Sequence, residues 1–221
     1  MAGSVSDVAS HEAEAQRFMS IPLILASGSP RRHRLLSQLG LSFSVHHPDV
    51  DESILFNESP EAYVTRLADS KSLAVSGMLN GTGAVVLAAD TTVVLDGNIL
   101  GKPESKDHGI AMLQALSDST HEVLTGVSIT NKQQTETFCV KTEVVFRKLG
   151  ASEIEHYWMT GEPRDKAGGY GLQGIGAVFV STLNGSYTNV IGLPLAETLS
   201  VLRTFGVVCL GSPSEKEFSL S

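Results

Sequence analysis

The sequence predicts an α/β chain: a mixed, elongated sheet with flanking helices. Three observations predict it. In the first half, apolar runs of strand length alternate with segments of helical period. A two-residue hairpin signal, Asp96-Gly97, interrupts that alternation. Two longer strand-like segments then follow one another with only a polar turn between them. Hairpins set among strand–helix alternation argue against a purely doubly wound parallel sheet.

The elements follow in order. Residues 22–26 form a short apolar strand ending in Ser27-Gly28-Ser29. Residues 30–39 form a helix, with Ser29 as N-cap, Pro30 at the first helical position and Gly40 as the stop. Residues 41–46 are a second strand, followed by the acidic loop Asp49-Val50-Asp51-Glu52. Ser59-Pro60 opens a second helix with the same device, and Val64, Leu67, Ala68, Val75 and Met78 share one face of it. Residues 84–89 are an apolar strand that ends at Asp90, and 91–95 and 98–100 flank the Asp96-Gly97 turn. Residues 106–116 are a third helix, and 121–130 and 135–147 are long strands around Asn131-Lys132-Gln133. A fourth helix over 151–160 precedes an irregular, glycine-rich stretch, 161–176. Residues 177–183 and 186–191 read as a hairpin over Asn184-Gly185, and 194–205 close the fold as a helix.

Composition narrows the function. At 221 residues the chain can bury a core without disulfides. Its two cysteines, Cys139 and Cys209, are far apart and in apolar surroundings, which suits a reducing compartment and core or near-core positions. The net charge of −8 argues against sequence-independent binding to a nucleic acid polymer. No apolar run approaches the roughly 20 residues of a membrane span. Residues 1–20 carry neither an apolar signal core nor an Arg-rich leader pattern, so a cytoplasmic protein is expected.

The strongest local feature is Ser27-Gly28-Ser29-Pro30-Arg31-Arg32. A small-residue turn entering a helix N-terminus offers free N–H groups and the positive dipole end to an anion. Arginines in that first turn oppose the dipole, and a bound phosphate between them resolves the conflict. Asp90 and Glu52, with Asp49 and Asp51 near the latter, supply oxygen ligands of the type Mg²⁺ prefers. Lys71 falls on the apolar stripe of the second helix, where it must either snorkel or meet an anion. Lys102 follows the hairpin in Gly101-Lys102-Pro103. Lys166 opens a segment with a formal G-x-G-x-x-G at Gly169, Gly171 and Gly174. A charged loop precedes it and a strand follows, so it is not a dinucleotide fingerprint. The glycines are expected to let backbone approach a ligand, and Gln173 offers both donor and acceptor to a flat polar ring. There is no G-x-S-x-G, Walker A or H-E-x-x-H sequence.

Together these residues resemble the Maf family of nucleotide pyrophosphatases. The resemblance spans about residues 23–205. It rests on Ala26-Ser27-Gly28-Ser29-Pro30-Arg31-Arg32, Ala89-Asp90-Thr91, Gly101-Lys102-Pro103, residues 166–174, and Gly185-Ser186-Tyr187 followed by Val190-Ile191-Gly192-Leu193-Pro194. It implies a catalytic domain over 21–206, between a flexible extension over 1–20 and a tail over 207–221. It implies a fold like that of inosine triphosphate pyrophosphatase, with two lobes around a cleft. The implied reaction is hydrolysis of a nucleoside triphosphate to monophosphate and pyrophosphate with Mg²⁺ or Mn²⁺, and a homodimer is a further implication. By position, Asp90 matches the family's general base, Glu52, Lys71 and Lys102 its charged cleft residues, and Arg31, Thr91 and Gln173 the positions that separate dTTP/UTP hydrolysis from 7-methyl-GTP hydrolysis. On this reading Ser27, Ser29, Arg31, Arg32, Lys71, Lys102 and Lys166 bind the triphosphate, and Asp90 with Glu52 holds the cation. Whether Asp90 is base or metal ligand stays open, as do a nucleotide sensor without turnover and a phosphatase of small metabolites.

Overall fold

The computed structural model describes residues 21–79 and 83–208. The expected extension over 1–20, residues 209–221 of the expected tail, and Cys209 lie outside the described residues.

Strand β1 (Leu23–Ala26) is buried along its whole length, as an inner strand should be. It feeds helix α1 (Pro30–Ser37), whose N-cap is Ser29 and whose run ends before Gly40, at φ 71°. Strand β2 (Phe43–His46) pairs parallel with β1. Helix α2 (Pro60–Met78) starts on the Ser59 cap, where Oγ accepts from Ala62 N–H at 3.2 Å. It buries Val64, Leu67, Ala68, Lys71, Ser72 and Val75. Met78, expected on that face, is exposed: it is the last residue of the helix, beyond the last buried position at Val75.

Strand β3 (Val85–Leu95) corrects the sequence reading. A strand ending at Asp90 was expected; instead one strand runs through it. The polar Asp90-Thr91-Thr92 does not break the strand, because β3 pairs antiparallel with β5 (Thr120–Thr130) at every residue from Val86 to Val94. After Asp96 and Gly97, both at positive φ (49° and 78°), the chain returns as β4 (Asn98–Leu100). That is the conformation a two-residue hairpin loop requires.

Helix α3 (Lys106–Leu116) precedes β5, which pairs antiparallel with β6 (Thr135–Phe146). Helix α4 (Ala151–Met159) leads into three short 3₁₀ turns, Glu162–Asp165, Ala167–Gly169 and Ile175–Phe179, and then β7 (Val180–Asn184) on the outer side of β6. The expected second hairpin is wrong. Ser186 caps a short helix instead, α5 (Tyr187–Ile191), its Oγ accepting from Asn189 N–H at 3.2 Å. Tyr, Thr, Val and Ile favour strands, but Asn189 is fully buried and donates to the Val123 carbonyl and Thr142 Oγ1, each at 3.0 Å. Tertiary contacts override propensity there. Helix α6 (Leu195–Thr204) completes the fold.

The sheet order is β2-β1-β3-β5-β6-β7, with β4 on β3: parallel at one end, antiparallel at the other. Two apolar clusters sit at opposite ends of β3 and β5. One joins Leu25, Leu36, Leu87, Val127, Ile191 and Leu202; the other joins Val93, Leu113, Val123, Phe146, Tyr157 and Phe179. On the other face, α2 lies so close to β5 that a Cβ on Gly126 would come within 2.5 Å of the Val64 carbonyl carbon.

Candidate active site

The sheet contains a notch. Strand β1 pairs with β3 only as far as Ala26–Ala88, and β4 pairs with it only from Val93 onward. On that side, residues 89–92 of β3 have no strand neighbour. Asp90 and Thr91 therefore stand at the mouth of a cavity of about 830 Å³, just past the carboxyl end of β1. Crevices at such strand ends are where α/β sheets hold ligands. Ser27, Ser29, Arg31, Arg32, Glu52, Lys71, Asp90, Thr91, Lys102, Lys166 and Gln173 all line this one cavity. Asp49 and Asp51 do not; Asp51 Oδ1 accepts from Ser53 N–H at 2.9 Å.

Lys71 does not snorkel. It is 7% exposed, and its Nζ donates to Asp90 Oδ1 and to Glu52 Oε1, each at 2.6 Å. Period-2 alternation aims Asp90 at α2 and Thr91 at the opposite face. The Glu52 loop is tied to α2 as well: Tyr63 Oη donates to the Glu52 carbonyl at 3.0 Å, and Arg66 to the Ser53 carbonyl at 2.9 Å and to Glu58. Partial burial acts to raise the Glu52 carboxyl, but the hydrogen bond and charge of Lys71, with Lys102 and Arg32, outweigh it and hold it below the usual range. Burial and the nearby carboxylates push the Tyr63 phenol up to about 12.

Across the notch, Arg32 is fixed by three neighbours. Nε donates to the Gly192 carbonyl at 2.8 Å, Nη1 to Ser27 Oγ at 3.2 Å and Nη2 to Thr91 Oγ1 at 3.0 Å. Thr91 is in turn hydrogen-bonded to Thr125 at 2.9 Å. Burial draws the Arg32 guanidinium below the usual arginine value, and Asp90 counters it. Arg31 and Lys166 both reach Asp165, at 3.3 and 2.6 Å. Gly28 faces His47 closely enough that a Cβ would meet Nδ1 at 2.7 Å. Six Lys and Arg side chains and four Asp and Glu side chains line the cavity, a cationic excess within a chain of net charge −8. That balance suits a polyanion carried with a cation.

Sequence reasoning missed Tyr63, Thr125, Tyr157, Glu162 and Asp165. No short motif marks them; Thr125 bonds Thr91 and Glu162 accepts from Ile175 and Gly176, partners 34, 13 and 14 residues away. A Cβ on Gly171 would meet Lys166 Cε at 2.7 Å, and one on Gly174 would strike the Glu162 carboxylate, so neighbouring side chains also require glycine at these two positions, both of which line the cavity. Cys139 is half-buried against Val64 and Leu124, and burial pushes its thiol up to about 11, which suits a packing role. No helix among the described residues is long and apolar enough to cross a membrane.

Comparison with known proteins adds the following. The family model described as "Maf-like protein" matches residues 22–205. A protein named dTTP/UTP pyrophosphatase from Pseudoalteromonas atlantica is 51% identical over 182 residues, covering 81% of this chain and 95% of that one. Another of the same name from Acinetobacter baylyi is 45% identical over 179 residues, covering 81% and 97%. Among solved structures, the Ham1 protein of Staphylococcus aureus aligns with a TM-score of 0.44 at 16% identity, covering 72% of this chain and 79% of that one.

Proposed function

This chain belongs to the Maf-like protein family, and we propose that it hydrolyses nucleoside triphosphates, preferentially dTTP and UTP, to the monophosphate and pyrophosphate. The observation that carries the reading is the notch itself. A buried Lys71 joins Asp90 and Glu52 at one point, and a bank of arginines and lysines faces them across a single cavity. The names of relatives 45–51% identical over nearly their whole length support the substrate assignment.

On this reading Arg31, Arg32, Lys102 and Lys166 hold the triphosphate, helped by Ser27 and Ser29 at the N-terminus of α1. The donor set at Asp90 and Glu52, two hard carboxylates aimed at one point, fits Mg²⁺ or Mn²⁺, which commonly take one or two carboxylates plus substrate phosphates. When bound, such a cation supplies charge neutralisation at the phosphate oxygens. Lys71 spends two N–H groups on the carboxylates and has a third for a phosphate oxygen. Asp90 accepts the proton of the water that attacks the α-phosphorus, and the α–β phosphoanhydride breaks. Positioning and charge carry the rest. Gln173 reads the base: its amide accepts from the N3–H of uracil or thymine and donates to a ring carbonyl. The substrate is a nucleotide rather than a nucleic acid polymer. The role fits housecleaning of the nucleotide pool in the cytoplasm, and a homodimer is part of the same reading.

The test is a panel of nucleoside triphosphates with Mg²⁺ or Mn²⁺, scored for pyrophosphate and monophosphate. Release of pyrophosphate with kcat/KM highest for dTTP and UTP is the expected result. Orthophosphate as product, or equal turnover of 7-methyl-GTP, refutes it. Tight binding without turnover would leave a nucleotide sensor. Gln173→Glu should lower dTTP and UTP hydrolysis relative to 7-methyl-GTP, whose cationic ring suits a carboxylate.

A further inference from the structure

Gln173 lies on a segment without regular structure, between the turns Ala167–Gly169 and Ile175–Phe179, and it is exposed. A side chain that discriminates between bases must be fixed by something else, because a loose amide satisfies many edges equally. One carboxylate holds the backbone on both sides of Gln173. Glu162 Oε2 accepts from Ile175 N–H at 2.8 Å, and Oε1 accepts from Gly176 N–H at 3.1 Å and from Tyr157 Oη at 2.9 Å. Tyr157 Oη itself accepts from Gly171 N–H at 3.2 Å. Backbone donors on both sides of Gln173 are thus gathered on Glu162, two directly and one through the phenol.

The packing is equally specific. A Cβ on Gly174 would strike the Glu162 carboxylate, and one on Gly176 would lie 2.6 Å from Tyr157 Oη. Burial acts to raise the Glu162 carboxyl, but the Gly176 and Ile175 N–H groups, the Tyr157 hydroxyl and the charge of Lys166 outweigh it and hold it low. The group is therefore ionised and acceptor-only, as three converging donors demand. None of its side-chain hydrogen bonds goes to Asp90, Lys71 or Arg32.

We propose that Glu162 is a positioning residue for base selection: through Tyr157 and the N–H groups of Gly171, Ile175 and Gly176 it sets the height and direction of Gln173. The inference rests on the reading of Gln173 as the base contact. Glu162→Gln is the probing change. It keeps size and shape but turns an NH₂ group toward an N–H or O–H donor, so one bond becomes a repulsion.

The experiment measures kcat and KM for dTTP, UTP, CTP and 7-methyl-GTP with the wild type, E162Q, Q173A and the double variant. E162Q should raise KM for dTTP and UTP about tenfold, the scale of one lost charge-assisted hydrogen bond, with a smaller change in kcat. Its preference for dTTP and UTP over the other two should shrink by a similar factor. In the Q173A background E162Q should add nothing, since the route through Gln173 is already gone. Tyr157→Phe should act in the same direction, more weakly, and it completes the same cycle if E162Q does not fold. Equal losses on all four nucleotides, or effects that add to those of Q173A, overturn the proposal and leave Glu162 a structural residue. A wild type that releases no pyrophosphate from dTTP or UTP overturns the proposed function and this inference with it. An active wild type whose E162Q variant keeps the wild-type preference among the four nucleotides overturns only the inference.

Discussion

Lowering the pH from 7 toward 4 protonates His121 in the unfolded chain well before it does so in the folded one. His121 sits on β5 at 2% exposure. Its Nε2 meets Tyr170 Oη at 2.8 Å, the rings of Phe146 and Tyr170 stand edge-on to it at 4.9 and 5.5 Å, and its buried Nδ1 has no hydrogen-bond partner among the described residues. Burial pushes the imidazole down to about 4, against roughly 6.5 for a free histidine. Between these values the unfolded chain carries one more proton, so stability rises with pH at about 1.4 kcal/mol per unit. The contribution is complete above about pH 6.5 and is lost as pH falls toward 4, a total of about 3 kcal/mol. The carboxylates held low by their partners, Glu52, Glu162 and Asp165 among them, also lose stability in acid, but below their ordinary range near pH 4. The window from 6.5 to 4.5 therefore belongs largely to His121. Urea denaturation at pH 7, 6, 5 and 4.5 should show a steep loss in the wild type and a nearly flat profile in His121→Gln, whose amide still meets Tyr170 but cannot titrate. Equal slopes in the two proteins, or a His121 ring resonance that titrates near 6.5, would refute the reasoning.

Asp90→Asn should fold and lose at least about 100-fold in pyrophosphate release, the lower end of general-base effects; retention of a tenth of the rate would sink the role. Lys71→Met should be the more destabilising of the two, by about 3 kcal/mol, because it leaves the buried Asp90 facing Glu52 without a cation, whereas Asp90→Asn leaves Lys71 still paired with Glu52. Combining them should recover much of that loss in a denaturation curve, and simple additivity would contradict the ion-pair account. Gly126→Ala should cost about 1–3 kcal/mol, because the added methyl has no room against the α2 backbone at Val64; an unchanged midpoint would show that α2 can shift.

Much of the fold was legible where a local rule acts alone. Ser29-Pro30 and Ser59-Pro60 announce helix starts because the cap and the proline need only their own neighbours. Asp96-Gly97 announces a turn for the same reason. The errors lie where distant partners decide. Asp90 looks like a strand end until nine rungs with β5 hold β3 straight through it. The segment Tyr187–Ile191 carries strand formers, yet the Ser186 cap and the buried Asn189 amide make it helical. For the site, sequence identified the arginines, lysines and carboxylates that gather at the notch: Lys71 and Asp90 because charge in an apolar setting is conspicuous, Arg31 and Arg32 because they crowd a helix N-terminus. It left open whether Lys71 would snorkel or meet an anion, and it did not show that the anion would be two carboxylates of the protein or that Glu162 and Asp165 would hold the opposite wall.

The two walls of the notch differ in how freely they can change. Asp90 and Thr91 ride on an inner strand, so a one-residue insertion or deletion there would turn every later side chain of β3 to the other face. Gln173 rides on a loop, where a substitution disturbs a few hydrogen bonds and no ladder. On the proposed roles of Asp90 and Gln173, descent with modification would retune which nucleobase is accepted while the bond being cut stays the same. A lineage with this architecture would diversify by substrate far more readily than by reaction.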